Sequence, residues 1–141
     1  MVVTDGLFSM DGDFADLRAL ATLKRRYGFL LAVDDAHATL VCGERGAGTA
    51  AMLGVEESVD LHVGTLSKAV GCLGGFVATT RGMKAWLSNR GRGFVYSTAL
   101  PVPVAAAAQA ALRVGMEEAS ADAGPAAADP MTRARRQERD G

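Results

Sequence analysis

Cysteine is scarce, with Cys42 and Cys72 the only two in 141 residues. They form no CxxC pair, and no Cys/His spacing matches a zinc pattern. Two small buried thiols in a reducing compartment are therefore expected, rather than a disulfide or a redox centre. An excess of one charge is lacking too. The net charge is −1, so nothing suggests a general affinity for nucleic acid or an anionic membrane. No apolar run approaches the roughly 20 residues needed to span a bilayer. The opening MVVTDG lacks the basic, apolar and small-residue succession of a signal peptide, and a cytoplasmic setting is expected. It leads almost directly into a strand, as if an upstream part were missing.

Three common motifs are absent as well. A P-loop needs GxxxxGK[ST], but Ser67 precedes Lys68 and Ala69 follows it. The glycines at 71, 74 and 75, and those in GERGAG (43–48), stand at the wrong intervals for a GxGxxG dinucleotide fingerprint. No GxSxG elbow supports a serine hydrolase.

What is present is 49% hydrophobic and 22% charged, the balance of a soluble globular domain. Val2–Thr4 reads as a strand, followed by the turn-formers of DGLFSMDGD. Asp13 is placed to cap a helix over residues 14–27, with Phe14, Leu17, Leu20 and Ala21 at helical spacing and Gly28 as its stop. FLLAV (29–33) is a continuous apolar run, suited to a strand buried on both faces of a parallel sheet. A short helix is expected around 49–54 and strands over 61–65 and 74–80. A helix over 81–89 would bury Trp86 and Leu87, and a further strand is expected over 93–98. An alanine-rich helix over 102–114 has Pro101 and Pro103 at its entry. Strands alternating with helices predict an α/β layer: a doubly wound, mostly parallel sheet with flanking helices. From Gly115 onward β-branched apolar and aromatic residues vanish, so residues 1–114 form the expected domain and 115–141 a low-complexity, disordered tail with a frayed helical start.

Ligands in such folds bind beyond the carboxyl ends of the strands. Asp34, His37 and Lys68 all follow predicted strand ends. Adjacent side chains in a strand point to opposite faces, so one of Asp34 and Asp35 can face a ligand while the other turns to backbone or solvent. Lys68 sits among small residues that permit close approach, and a lysine nucleophile attacks a carbonyl once deprotonated. Each residue alone has an ordinary structural explanation: a strand-end cap, a packed histidine, a loop lysine. Together they suit a phosphorylated heteroaromatic aldehyde. Lys68 would form the imine, a carboxylate would pair with the protonated ring nitrogen, and hydroxyls and glycine amides would hold the phosphate. Pyridoxal 5'-phosphate has these features.

The stretches DGLFSMDGD, VDDAHATLVCGERGAG, GTLSKAVGCLGGF and VYSTALPVP, in that order over about residues 2–114, resemble the α-oxoamine synthases. These are fold-type-I pyridoxal-phosphate enzymes of the class II aminotransferase group. The resemblance implies that Asp34 pairs with the pyridinium nitrogen, that His37 lies beside the ring's phenolic oxygen, and that Lys68 is the imine lysine and later the base at Cα. It places Thr65 at the phosphate and Ser9 near the cofactor's oxygen side. Ser97 and Thr98 would reach the phosphate of the partner subunit's cofactor in a homodimer. The implied reaction joins an amino acid to an acyl-CoA with loss of CO2 and CoA. L-alanine and pimeloyl-CoA are the expected pair, and siblings using other substrates, or a non-catalytic partner subunit, are the alternatives.

The family also carries an upstream phosphate loop with a stacking ring, and a C-terminal domain with an arginine for the substrate carboxylate. Neither motif stands in this sequence, and the arginines of RARRQER have no matching surroundings. The chain is therefore expected to be the central slice of a large domain, poorly stable and inactive on its own.

Overall fold

The computed structural model describes residues 1–121; the expected tail beyond Ala121 lies outside them. Its elements are β1 (Val2–Asp5), α1 (Leu17–Tyr27), β2 (Leu31–Asp34), α2 (Thr49–Leu53), β3 (Leu61–Thr65), β4 (Gly75–Thr79), α3 (Arg81–Arg90), α4 (Arg92–Val95) and α5 (Val102–Ala121). The strands form one sheet in the order β1-β2-β3-β4. β1, β2 and β3 run parallel, and β4 returns antiparallel to β3. The sheet is mostly parallel with flanking helices, as the sequence pattern implies. The described strands follow chain order, so no reversal of strand order falls among the described residues.

Strand alternation decides what is buried. Leu31 and Val33 point to the face covered by α1 and α2, and join Leu17, Ala50, Leu53 and Val59 in the main core. Each large aliphatic side chain buried there contributes about 1.5–3 kcal/mol. A second cluster joins Leu66 and Val70 to Ala108 of α5, with Leu40, Ala111 and Leu112 packed around it. Leu66 and Val70 flank Lys68 on either side, so α5 anchors the loop that carries the lysine.

The sheet's opposite rim is tied by Asp60. Its carboxylate accepts from the Leu31 amide at 2.7 Å and pairs with Lys24 of α1. Its carbonyl accepts from Thr79 Oγ1 at 2.6 Å. Burial opposes ionisation of Asp60, but the bonds from Lys24 and Leu31 and the lysine's charge outweigh it. The carboxyl sits below its ordinary value.

Several local expectations are corrected. α1 begins at Leu17 with Asp16, not Asp13, as its cap; Asp16 accepts from the Ala19 amide at 2.9 Å. The residues before it are used elsewhere: Phe14 bridges Leu7, and Ala15 N–H donates to Gly6 at 3.1 Å. Gly28 does end the helix, in the left-handed region at φ 68°. In place of the expected strand over 93–98, residues 93–95 belong to helix α4 and 96–98 follow it outside any strand. Val95 N–H donates to Gly91 and Tyr96 N–H to Arg92. A short apolar run carries no periodicity that separates strand from helix, and no described strand pairs with it. Trp86 is 60% exposed rather than buried. On α3, Met83 and Leu87 stand four apart on the half-buried side, and Trp86 is rotated about 100° away. α5 runs on past Val114 to Ala121. Of the two free thiols, Cys42 is buried and Cys72 half-buried.

Candidate active site

Three parallel strands end at one rim, and the chain turns there into the segments that carry the candidate residues. β2 stops at Asp34 beside Val63 of β3. The chain then makes a tight turn in which Asp35 O accepts from Ala38 N at 2.9 Å and from Thr39 N at 2.8 Å. His37 lies inside it. β3 stops at Thr65, and the following loop is closed by bonds from Leu66 N to Gly74 O at 2.9 Å and from Gly71 N to Lys68 O at 2.9 Å. Gly71 and Gly74 take positive φ, 67° and 109°, which glycine adopts without penalty.

These two turns meet. Lys68 Nζ lies 2.8 Å from His37 Nε2. The lysine is exposed and the histidine half-buried, so the amine is open to an incoming carbonyl compound and already has an imidazole partner. Asp34, half-buried at the end of the adjacent strand, has Oδ1 held by the Ala36 amide at 2.9 Å. Thr65 Oγ1 and Ser67 Oγ stand 2.8 Å apart, and the Ser67 amide donates to Thr65 Oγ1 at 3.2 Å. The rim thus gathers an amine, an imidazole, a carboxylate and a pair of hydroxyls.

The other expected residues make no described hydrogen bond to this group. Ser9 is exposed in the β1–α1 connection. Ser97 and Thr98 are exposed after α4, with the Ser97 hydroxyl donating to the Gly93 carbonyl.

Asp35 was open to either backbone or solvent on sequence pattern. Its side chain instead turns inward, 6% exposed, with both oxygens bonded to Thr49. Thr49 gave little signal in the sequence beyond its position after Gly48. The anchoring of Lys68 by Leu66 and Val70 was likewise unmarked, because the partner, Ala108, lies in a distant helix.

Two further cavities flank the sheet. One of about 730 Å³ lies between β4, α3 and α4, lined by Phe76, Val77, Leu87 and Phe94. A smaller one, about 230 Å³, lies under α5 beside Asp35, His62 and Leu112. Neither contains Lys68. Among the described residues no group of histidine, cysteine and acidic side chains could hold a metal ion. Among them, too, no helix is long and apolar enough to cross a membrane.

Residues 1–124 match the family model for aminotransferase class I and II. An 8-amino-7-oxononanoate synthase of Arabidopsis thaliana is 58% identical over 118 residues, covering 84% of this chain and 25% of that protein. Among solved structures, a serine palmitoyltransferase from S. paucimobilis with a bound PLP–myriocin aldimine superposes with a TM-score of 0.78 at 32% identity. It covers 82% of this chain and 30% of that one. An 8-amino-7-oxononanoate synthase from Francisella tularensis superposes at 0.70 and 31% identity, covering 81% and 33%. The chain spans about a quarter to a third of the length of the relatives it matches.

Proposed function

Because the chain belongs to the aminotransferase class I and II family, we propose that it is part of a pyridoxal-phosphate-dependent acyltransferase. The reaction we assign to the whole protein condenses L-alanine with pimeloyl-CoA. It releases CO2 and CoA and gives 8-amino-7-oxononanoate. The 58% identity to a synthase of that name favours this member of the family. The likeness to serine palmitoyltransferase, at 32% identity, supports a second reading, in which the amino acid and acyl chain differ.

The observation that carries the proposal is the 2.8 Å approach of Lys68 Nζ to His37 Nε2 beside the end of β2. The donor set fits the cofactor. Lys68 offers the amine for its aldehyde carbon, and Asp34 a carboxylate for the ring N–H. His37 offers a ring nitrogen for the phenolic oxygen, and Thr65 a hydroxyl for the phosphate. Ser9 would lie on the oxygen side, and Ser97 and Thr98 would serve the phosphate bound by the second subunit of a homodimer. When bound, the ring supplies an electron sink for negative charge at the substrate's Cα.

The chain's own residues do the rest. Asp34 would keep the proton on the ring nitrogen by charge complementarity. Lys68 Nζ, as a free amine, would take the proton from the substrate's Cα. His37, 2.8 Å from Lys68 Nζ, would orient the ring through its phenolic oxygen. Leu66 and Val70, packed on Ala108, keep the lysine's loop from drifting, which matters because small misplacements of a reacting group cost large factors in rate. The expected setting is cytoplasmic, with an amino acid and an acyl-CoA as substrates and neither nucleic acid nor membrane as partner.

Adding pyridoxal phosphate to the chain should produce a near-violet absorption band that is lost in Lys68→Ala. No band in the wild type, or a band that survives in the variant, would count against the assignment. A panel of acyl-CoAs, offered to a chain completed with a relative's flanking segments, would separate the two substrate readings.

A further inference from the structure

Asp34 and Asp35 are neighbours in sequence with opposite surroundings, and the mechanism above uses only Asp34. Asp35 is 6% exposed, and both of its carboxylate oxygens are engaged. Its Oδ1 accepts from Thr49 Oγ1 at 2.6 Å and its Oδ2 from the Thr49 amide at 3.0 Å. A Cβ added at Gly6 would lie 2.2 Å from Asp35 Oδ1, and one at Gly48 2.2 Å from Oδ2. β1's end and the start of α2 are thus shaped around this one carboxylate. Its main chain is equally engaged. The Asp35 amide donates to Val63 O of β3 at 2.8 Å. Its carbonyl closes the turn containing His37, and takes a further bond from Thr39 Oγ1 at 2.8 Å.

We propose that Asp35 is a positioning residue which, bolted to Thr49, fixes the 35–39 turn and so holds His37 Nε2 against Lys68 Nζ. Burying a carboxylate is costly, and burial pushes this one above its ordinary value; the Thr49 bonds and the charge of His62 pull back, while Asp34 adds to the rise. An apolar side chain would avoid that cost but could not meet two donors of a single residue at once, leaving both buried without acceptors. Two-point hydrogen-bond geometry, rather than charge, is the role. Asparagine can reproduce it: its oxygen accepts from the Thr49 amide, and its NH2 donates to the Thr49 hydroxyl oxygen once that hydroxyl rotates. Alanine cannot.

The purpose of this device rests on the cofactor reading, but its test needs no cofactor. The readout is the coupling of His37 to Lys68 in the full chain, taken as the shift of the His37 ring resonances on Lys68→Met. The sequence has two histidines, so a His62→Gln variant assigns the spectrum. The shift should persist in the Asp35→Asn background. It should fall to less than about half in Asp35→Ala and in Thr49→Val. Thr49→Val keeps the amide and the side-chain volume, and circular dichroism checks its helix content, so it decides the matter if Asp35→Ala does not fold. An undiminished shift in Thr49→Val would overturn the proposal. So would its loss in Asp35→Asn, because charge would then matter more than geometry. A missing absorption band with the coupling intact would count against the cofactor reading alone.

Discussion

Lys68 and His37 face each other from two different strand ends, and their contact concentrates the chemistry in one pair of side chains. In the proposed complex His37 bonds the cofactor's phenolic oxygen, and a hydrogen bond involving a charged partner is worth about 1.5–3 kcal/mol. His37→Ala is therefore expected to weaken pyridoxal phosphate binding by at least about tenfold, read by absorbance titration, while Lys68→Ala abolishes the band. A second residue-scale prediction concerns Asp60, at the opposite rim. Its folded-state pKa is lowered, so its contribution is fully present above the ordinary carboxylate pKa and is lost as pH falls through the lower, folded value. Lys24→Met should thus cost up to about 1 kcal/mol at neutral pH, and the difference should close in acid; denaturant melts at the two pH values would show it. At this scale much was legible. The DDAH and TLSK stretches marked Asp34, His37 and Lys68 because both follow apolar runs that must be strands. Asp35 was not legible in the same way. Alternation said that it points away from Asp34, but only the folded position of Thr49 makes that direction an interior one.

α5 bears on the site through the loop that carries Lys68. Ala108 is 4% exposed and packs on Leu66 and Val70, while Ala107 beside it is exposed. Ala108→Leu overpacks this contact and should cost about 1–3 kcal/mol, together with slower modification of Lys68 by an aldehyde reagent. Ala107→Leu should do neither. Leu40 belongs to the same device. Its φ of 62° is unfavourable for a branched side chain, and the half-buried leucine recovers that cost by packing into the cluster under α5. Elements with a strong local signal were readable, including β2, β3 and the stop of α1 at Gly28. The strand expected over 93–98 was not, because Phe94, Val95 and Tyr96 suit either state locally. What decides is tertiary context: no described strand pairs with the segment, although β4 lies at the edge of the sheet.

At the scale of the molecule, apolar surface is conspicuous. Val3 and Val77, on the sheet face opposite the main core, are 62% and 46% exposed, and Trp86, Phe94, Tyr96 and Val102 also face solvent. Patches of this kind mark surfaces that pack against further protein, and the chain spans 25% of the Arabidopsis relative's length. Completing it with a relative's flanking segments should lower its binding of a hydrophobic dye such as ANS per mole; unchanged binding would mean that this face is not covered by the rest of such a protein. Sequence pattern exposed the layered α/β class, but not which faces the described elements leave open, since that depends on packing between distant parts. The central claim is that Lys68 is the amine that captures a pyridoxal-type aldehyde. Its most direct test is borohydride reduction of the chain with pyridoxal phosphate, followed by peptide mapping. The account predicts the label on the peptide containing Lys68, and its loss in Lys68→Ala; a label confined to Lys24 or Lys84 would contradict it.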